Sequence, residues 1–264
     1  MMKNTMPDFE NTVWRWLIGA CSAGLLAATW YLLTGPLGLL SSVQLPSIED
    51  AYDALVQLMG PGYAGATLGV HIVSSLELLL LGFAAAVATG VPLGLLMGRS
   101  KLAHAYFNSI FQLIRPIAPI AWIPLAILWF GLGTAAKVLV VWLAAFAPVV
   151  INTITGARNV DPVFVAAARV HGASQRHILF DIVIPASMPT IFTGLRLSLQ
   201  ACWMVLVASE LVGSFTGLGH IMIIASRDLN TGMIFVAMAC VSILGILSTL
   251  ALAWVEHRVI PWRL

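Results

Sequence analysis

Long apolar runs alternate with short polar segments along this chain, and their lengths suit a bilayer, whose roughly 30 Å hydrocarbon layer needs about 20 helical residues. The first run, Val13–Leu40, follows a polar tail and carries Trp14, Trp16, Trp30 and Tyr31 as interface anchors. A polar loop over 41–70, holding Glu49, Asp50 and Asp53, predicts one short helix. The second run, His71–Met97, closes on Gly98-Arg99-Ser100-Lys101, and an amphipathic stretch over 102–115 leads to Arg115. The third run, Pro116–Gly131, contains Pro116, Pro119 and Pro124, so its first turns are kinked or unwound. Such backbone sits at membrane depth only where protein or a water-filled cavity covers it. The turn Gly131-Leu132-Gly133-Thr134 precedes the fourth run, Ala136–Ile154. A polar island from Gly156 to Ile184, the fifth run Ala186–Val212, a Gly-rich loop Gly213–Gly232, the sixth run Met233–Glu256 and a tail His257–Leu264 complete the chain.

The pattern predicts an all-α membrane protein with six transmembrane helices. The tail, the first run and the outer loop take up residues 1–64. Composition agrees: the 264 residues are 60% hydrophobic and only 9% charged, against about 25% charged in a soluble domain. The net charge of +2 and the lack of a basic tract argue against nucleic acid as a partner.

The placement of charge carries more than its sum. An even number of spans puts both termini on one side. With the termini inside, Lys3, Arg15, Arg99, Lys101, Arg115, Arg158, Arg169, Arg176, Arg258 and Arg263 are cytoplasmic, and only Lys137 and Arg227 fall clearly outside. The positive-inside rule selects that orientation and exposes the polar island to the cytoplasm.

Cys21, Cys202 and Cys240 fall in apolar runs without metal-ligand spacing. Ile18-Gly19-Ala20-Cys21 mimics a lipoprotein box, but Asp8 and Glu10 precede it and the apolar run before Cys21 is too short. The six histidines form no metal-binding group, there is no Gly-x-x-x-x-Gly-Lys-[Ser/Thr] phosphate loop, and no nucleophile–base pair is visible. The expectation is a non-enzymatic chain with no metal and no cofactor of its own.

Several residues stand out for what they do in such a chain. Val165, Ala166, Ala167, Ala168, Arg169, His171, Gly172, Ala173 and Ser174 form an ordered island suited to docking a partner, or else an ordinary helix on the bilayer surface. Arg196, about two turns into the fifth run, either anchors that span, pairing with Asp181 or loop carbonyls, or binds an anionic solute. Glu77 and Glu210 are acids inside apolar runs, read as functional or as interface and packing acids. Pro119, Trp122, Pro124, Gln200, Trp203 and Glu210 are the candidates for lining a solute pathway; Trp129 shares the aromatic character, and helix packing is the competing role for the tryptophans. Two mechanisms fit: a permease driven by a separate ATPase, or a stand-alone ion-coupled carrier using Glu77, Glu210 and Arg196 as a proton relay.

The island resembles the cytoplasmic coupling loop of permease subunits of binding-protein-dependent ABC importers. That family's pattern is Glu-Ala-Ala, three residues, Gly, then a downstream Pro and Gly-Leu-Arg. Ala166, Ala167 and Ala168 occupy the triplet, Gly172 the glycine, with Pro185, Pro189 and Gly194-Leu195-Arg196 downstream. Ala166 stands where the family has its acid, which removes a salt-bridge partner but not the helix. Gly90-Val91-Pro92-Leu93-Gly94, Arg115-Pro116-Ile117-Ala118-Pro119, Ala121-Trp122-Ile123-Pro124, Trp129-Phe130-Gly131, Leu206-Val207-Ala208-Ser209-Glu210-Leu211 and Gly217-Leu218-Gly219 extend the likeness over about 65–264. Together they resemble the branch importing nitrate, taurine, aliphatic sulfonates and bicarbonate. The resemblance implies a type I importer fold, five core helices plus one N-terminal helix, with a cytoplasmic coupling helix. It implies a homodimer of permeases, two cytoplasmic ATPases that bind the ATP and Mg, a periplasmic or lipid-anchored solute-binding protein, and a bacterial inner membrane with both termini cytoplasmic. Arg196, Gly194, Pro185 and Pro189 take structural roles under it, and a taurine- or sulfonate-like anion is the favoured cargo, with nitrate or bicarbonate behind.

Overall fold

The computed structural model describes residues 12–35 and 41–261. Within them the regular elements are helices: α1 (Thr12–Thr34), α2 (Ile48–Met59), α3 (Leu68–Arg99), α4 (Lys101–Ile114), α5 (Ile123–Phe130), α6 (Thr134–Arg158), α7 (Pro162–Val170), α8 (Gln175–His177), α9 (Ile184–Gly213), α10 (Leu218–Arg227) and α11 (Thr231–Val259). α1, α3, α6, α11 and the continuous stretch Gln175–Gly213 are long and apolar enough to cross a membrane. α4 and the segment Pro119–Phe130, bent by 82°, are together long and apolar enough for one more crossing. Lys3, Trp262 and Arg263 lie outside the described residues, as do the side chains of Trp14, Arg15 and Trp16.

Helix association in lipid depends on close backbone approach more than on hydrophobic burial, and small residues permit it. On α3 a stripe of glycines meets α6. A Cβ on Gly82 would come within 2.5 Å of Val141, on Gly90 within 2.9 Å of Val149, on Gly94 within 2.5 Å of Thr153 and on Gly98 within 2.6 Å of Ala157. The register is constant and both numbers rise together, so α3 and α6 run parallel. α9 is antiparallel to α6: Gly156 faces Ser187, and Gly194 faces Asn152. α11 is antiparallel to α9, with Arg196 on Glu256 and Trp203 Nε1 donating to Ser248 Oγ at 2.9 Å. Leu79, Ala86, Val141, Ala145, Leu199, Cys202 and Leu206 fill the seam between α3, α6 and α9.

Two parallel helices adjacent in sequence force the chain to cross back between them. The residues after Arg99 and before Thr134 must make that crossing, and α4 with α5 does so in two pieces. α5 has 8 residues, or about 12 Å, so it serves only one half of the bilayer. Its Ile123 and Ala126 pack on Ala136, Val140 and Ala144 of α6. The third run expected over Pro116–Gly131 is therefore shorter in helix than its apolar length suggests, and the amphipathic stretch before it supplies the rest. Proline sets the break: Pro116 and Pro119 cannot donate backbone hydrogen bonds to the turn before them.

One further expectation changes. The Gly-rich loop Gly213–Gly232 contains α10, whose Leu218, Ile221 and Ala225 are buried against Leu58 of α2 and Met233 and Ala237 of α11. The helical spacing of those apolar residues outweighs the flanking glycines. α2 itself starts with a capping box in which Ser47 Oγ accepts from Asp50 N–H at 3.0 Å and Asp50 accepts from Ser47 N–H at 3.0 Å.

The helix directions sort the charges by end. Arg99, Lys101, Arg158, Arg169, Arg176 and Arg258 lie towards one end, with α7. Glu49, Asp50, Asp53 and Asp228 lie towards the other, with α2, α10, Lys137 and Arg227.

Candidate functional site

Three places bear on function, and the broken span is the first. Beside it lies a cavity of about 880 Å³, walled by α4, α5, α6 and α9. Pro119 and Trp122 line it, as do Trp129, Trp142, Asn152 and Met204. Trp142 Nε1 donates to Thr89 Oγ1 at 3.0 Å, which fixes that ring. Of the other expected pathway residues, Pro124 and Gln200 are exposed and outside this lining. Trp203 is buried in the seam between α3, α6, α9 and α11.

Glu210 lies apart from the cavity, in a second place. It is fully buried and accepts from Ser75 Oγ at 2.7 Å and from Gly219 N–H at 2.8 Å. Ser75 Oγ in turn accepts from Leu218 N–H, and His71 Nδ1 accepts from Gly217 N–H, both at 3.0 Å. The carboxylate thus latches the loop before α10 onto α3 and α9, a job for which a buried acid supplies two strong acceptors. Gly217 has φ +120°, and a Cβ there would strike the Glu210 carboxylate. Lys137, whose Nζ donates to Ser214 Oγ at 2.7 Å, adds a cation nearby. Glu77 is exposed on α3, away from this cluster. Glu77, Glu210 and Arg196 therefore form no continuous relay.

The third place is the cationic end. Asp161 accepts from Val163 N–H at 2.9 Å and starts α7, with Pro162 in its first turn. The helix stops at Val170 because Gly172 adopts φ +79°. Val165, Ala168 and Ala173 turn towards Ala157, Ile178 and Val183 and seat α7 on the bundle. Ala166, Ala167, Arg169, His171, Gly172 and Ser174 face outward. Val163, Phe164 and Val170 join them, Val170 being 86% exposed. Val163 and Phe164 precede the Val165–Ser174 stretch that the sequence singled out; their signal is the apolar side of the nine-residue helix. Ser174 Oγ caps α8, which passes through a π-helical turn, Ile178–Val183, into α9. Pro185 has no N–H for the carbonyl of Asp181, and the wider turn precedes it.

The pairing expected for Arg196 is different here. Its guanidinium pairs with Glu256 of α11, while Asp181 pairs with His177 at 3.3 Å. Gly194 and Pro189 sit in the same helix, Gly194 close against Asn152 and Pro148 of α6. Among the described residues no three His, Cys, Asp or Glu side chains gather as a metal site.

A broken span beside a cavity, inside a bundle that carries an exposed helical knuckle at its cationic end, defines a multi-pass membrane transport subunit. A family model described as binding-protein-dependent transport system inner membrane component matches residues 90–261, and the chain belongs to that family. It is 35% identical over 256 residues to the taurine transport system permease protein TauC of Escherichia coli, covering 95% of this chain and 93% of that one. It is 32% identical over 245 residues to the nitrate import permease protein NrtB of a Synechocystis species, covering 92% and 88%. A nitrate import permease of Leptolyngbya laminosa is 27% identical over 95% of this chain and 90% of its own length. The chain is a permease subunit of an ABC importer, a non-enzymatic membrane component that works with an ATPase and a solute-binding protein. The stand-alone carrier reading falls with that membership.

Proposed function

We propose that this chain forms the translocation pathway for a small anion of the taurine or sulfonate kind, delivered by a periplasmic or lipid-anchored binding protein. The observation that carries the cargo is the 35% identity to a taurine permease over almost the whole chain. Nitrate is the second reading, supported by the nitrate permeases among the relatives. Two copies of the chain make the pathway, and two cytoplasmic ATPases, which bind the ATP and Mg, drive it. Val165–Ser174 is the region those ATPases grip: α7 offers Phe164, Val170 and the short side chains of Ala166 and Ala167 to a groove. Pro119 and Trp122 line the solute route. Arg196, Gly194, Pro185 and Pro189 hold α9 in place. The gathering of cations at the α7 end supports a bacterial inner-membrane orientation with both termini cytoplasmic.

The test is reconstitution of permease, ATPase and binding protein in liposomes. Expected is ATP-dependent accumulation of radiolabelled taurine, stimulated by the loaded binding protein and weakly competed by nitrate. Accumulation of nitrate with no effect of taurine reverses the cargo order, and uptake without the ATPase overturns the mechanism.

A further inference from the structure

Towards the cationic end, the cavity beside the broken span meets a second one of about 470 Å³. The two share the lining residues Phe111, Arg115 and Ile151, so Arg115 stands on the wall common to both chambers. Among the described residues no Asp or Glu lines either chamber. Arg115 makes no ion pair among the described residues. It sits level with Ile151 and Thr155 of α6, inside the end of that span at Arg158. The Arg115 side chain is exposed rather than packed away, so its guanidinium can turn into either chamber.

The helix leading to it adds an independent observation. His104, Asn108, Gln112 and Arg115 recur at helical spacing along α4, and all of them line the second chamber. His104 Nδ1 is buried and has no hydrogen-bond partner among the described residues. Leu102, Tyr106 and Leu113, elsewhere around the helix, are exposed apolar residues fit for lipid. The stripe starts beside Lys101 and Arg99, at the cationic end.

We propose that Arg115 is the anion-holding step inside the pathway, and that Gln112, Asn108 and His104 pass the anion on to the cationic end. This rests on the anion reading above and gives it a residue. An oxyanion entering the mostly apolar chamber loses hydration. The planar guanidinium replaces it with two parallel donors matched to two sulfonate or nitrate oxygens. Release then needs weaker sites in series, which neutral amide and imidazole groups provide. Arg115 is thus a binding residue for cargo in transit, distinct from Arg196, which is held by Glu256.

The experiment uses the reconstituted permease–ATPase–binding-protein complex and reads taurine moved per ATP hydrolysed. Arg115→Gln lowers that ratio roughly tenfold or more, the scale of one charge-assisted hydrogen bond. Arg115→Lys keeps the charge, loses the fork and retains part of the ratio; Gln112→Leu gives a smaller loss. An unchanged ratio in Arg115→Gln overturns the proposal. So does an equal fall in Lys and Gln variants accompanied by loss of assembled complex, which marks a structural arginine. A second arm needs no cargo: iodide quenches the tryptophans of the complex, several of which line the chamber, with neutral acrylamide as reference. Arg115→Gln weakens quenching by iodide and leaves that by acrylamide unchanged; equal iodide quenching overturns the proposal. A wild-type complex that moves neither taurine nor nitrate sinks the cargo assignment, while the iodide arm still decides Arg115.

Discussion

Replacing Glu210 tests whether its buried carboxylate is a structural latch. Its two acceptor oxygens serve Ser75 Oγ at 2.7 Å and Gly219 N–H at 2.8 Å, with the side chain fully buried. Glu210→Ala leaves both donors without an acceptor. Each buried unsatisfied donor costs about 1–3 kcal/mol, so the loss is about 2–6 kcal/mol before any cavity is counted. Glu210→Gln is milder. Its oxygen still accepts from Gly219, while its amide donates to Ser75 and strands that hydroxyl's proton. The expected cost is about 1.5–3 kcal/mol, that of one charge-assisted bond. The assay is equilibrium unfolding of the full chain in mixed micelles, run as a cycle with Ser75→Ala. A coupling of about 0.5–3 kcal/mol between the two positions is expected, because they share one hydrogen bond. Transport by Glu210→Gln should fall only as far as the amount of folded complex falls. A Glu210→Ala variant within about 0.5 kcal/mol of wild type refutes the latch. A variant that folds normally but has altered cargo selectivity returns Glu210 to the pathway.

The remaining predictions concern the other end of the bundle, its seam and its outer loops. Gly172→Trp places a large side chain on an open surface, since nothing lies within 4 Å of a Cβ there; uptake should be lost while assembly, read by size-exclusion, survives. Gly172→Ala shares the strain of φ +79°, of order 1–2 kcal/mol, without the bulk, and should keep uptake; equal loss in both variants means backbone strain, not docking, is at fault. Thr153 buries a hydroxyl against Gly94 with no partner among the described residues, so Thr153→Val should leave stability unchanged or raise it by about 1 kcal/mol, and a clear loss in micelle unfolding contradicts this. Tyr63 donates to Asp228 Oδ2 at 2.5 Å, and burial first, then that bond, raises its phenol above the ordinary 10.0. A raised folded value stabilises fully below the unfolded value and is lost as pH climbs towards the folded one, so the contribution holds to about pH 10 and fades beyond it. Titration at 295 nm should show one of the 4 tyrosines resisting ionisation, and Tyr63→Phe should remove that step; uniform titration would contradict the bond.

Composition and periodicity made the helical membrane class, the run boundaries and the charge asymmetry readable, because a bilayer punishes any exposed polar backbone and leaves few solutions. The coupling island was legible too: Gly172 can take a positive φ that ends a helix, and the Ala-rich run before it favours one. Side-chain partnerships were not. Arg196 has an acid nearby in sequence, Asp181, yet pairs with Glu256 on another helix. Glu210 reads as a pathway acid until Ser75 and Gly219 converge on it. Arg115 reads as one more inside cation until the fold sets it in the lining of two chambers. Local spacing shows which face of a helix a residue occupies; only the packing of α3, α6, α9 and α11 decides what that face meets, since those contacts join residues far apart in the chain.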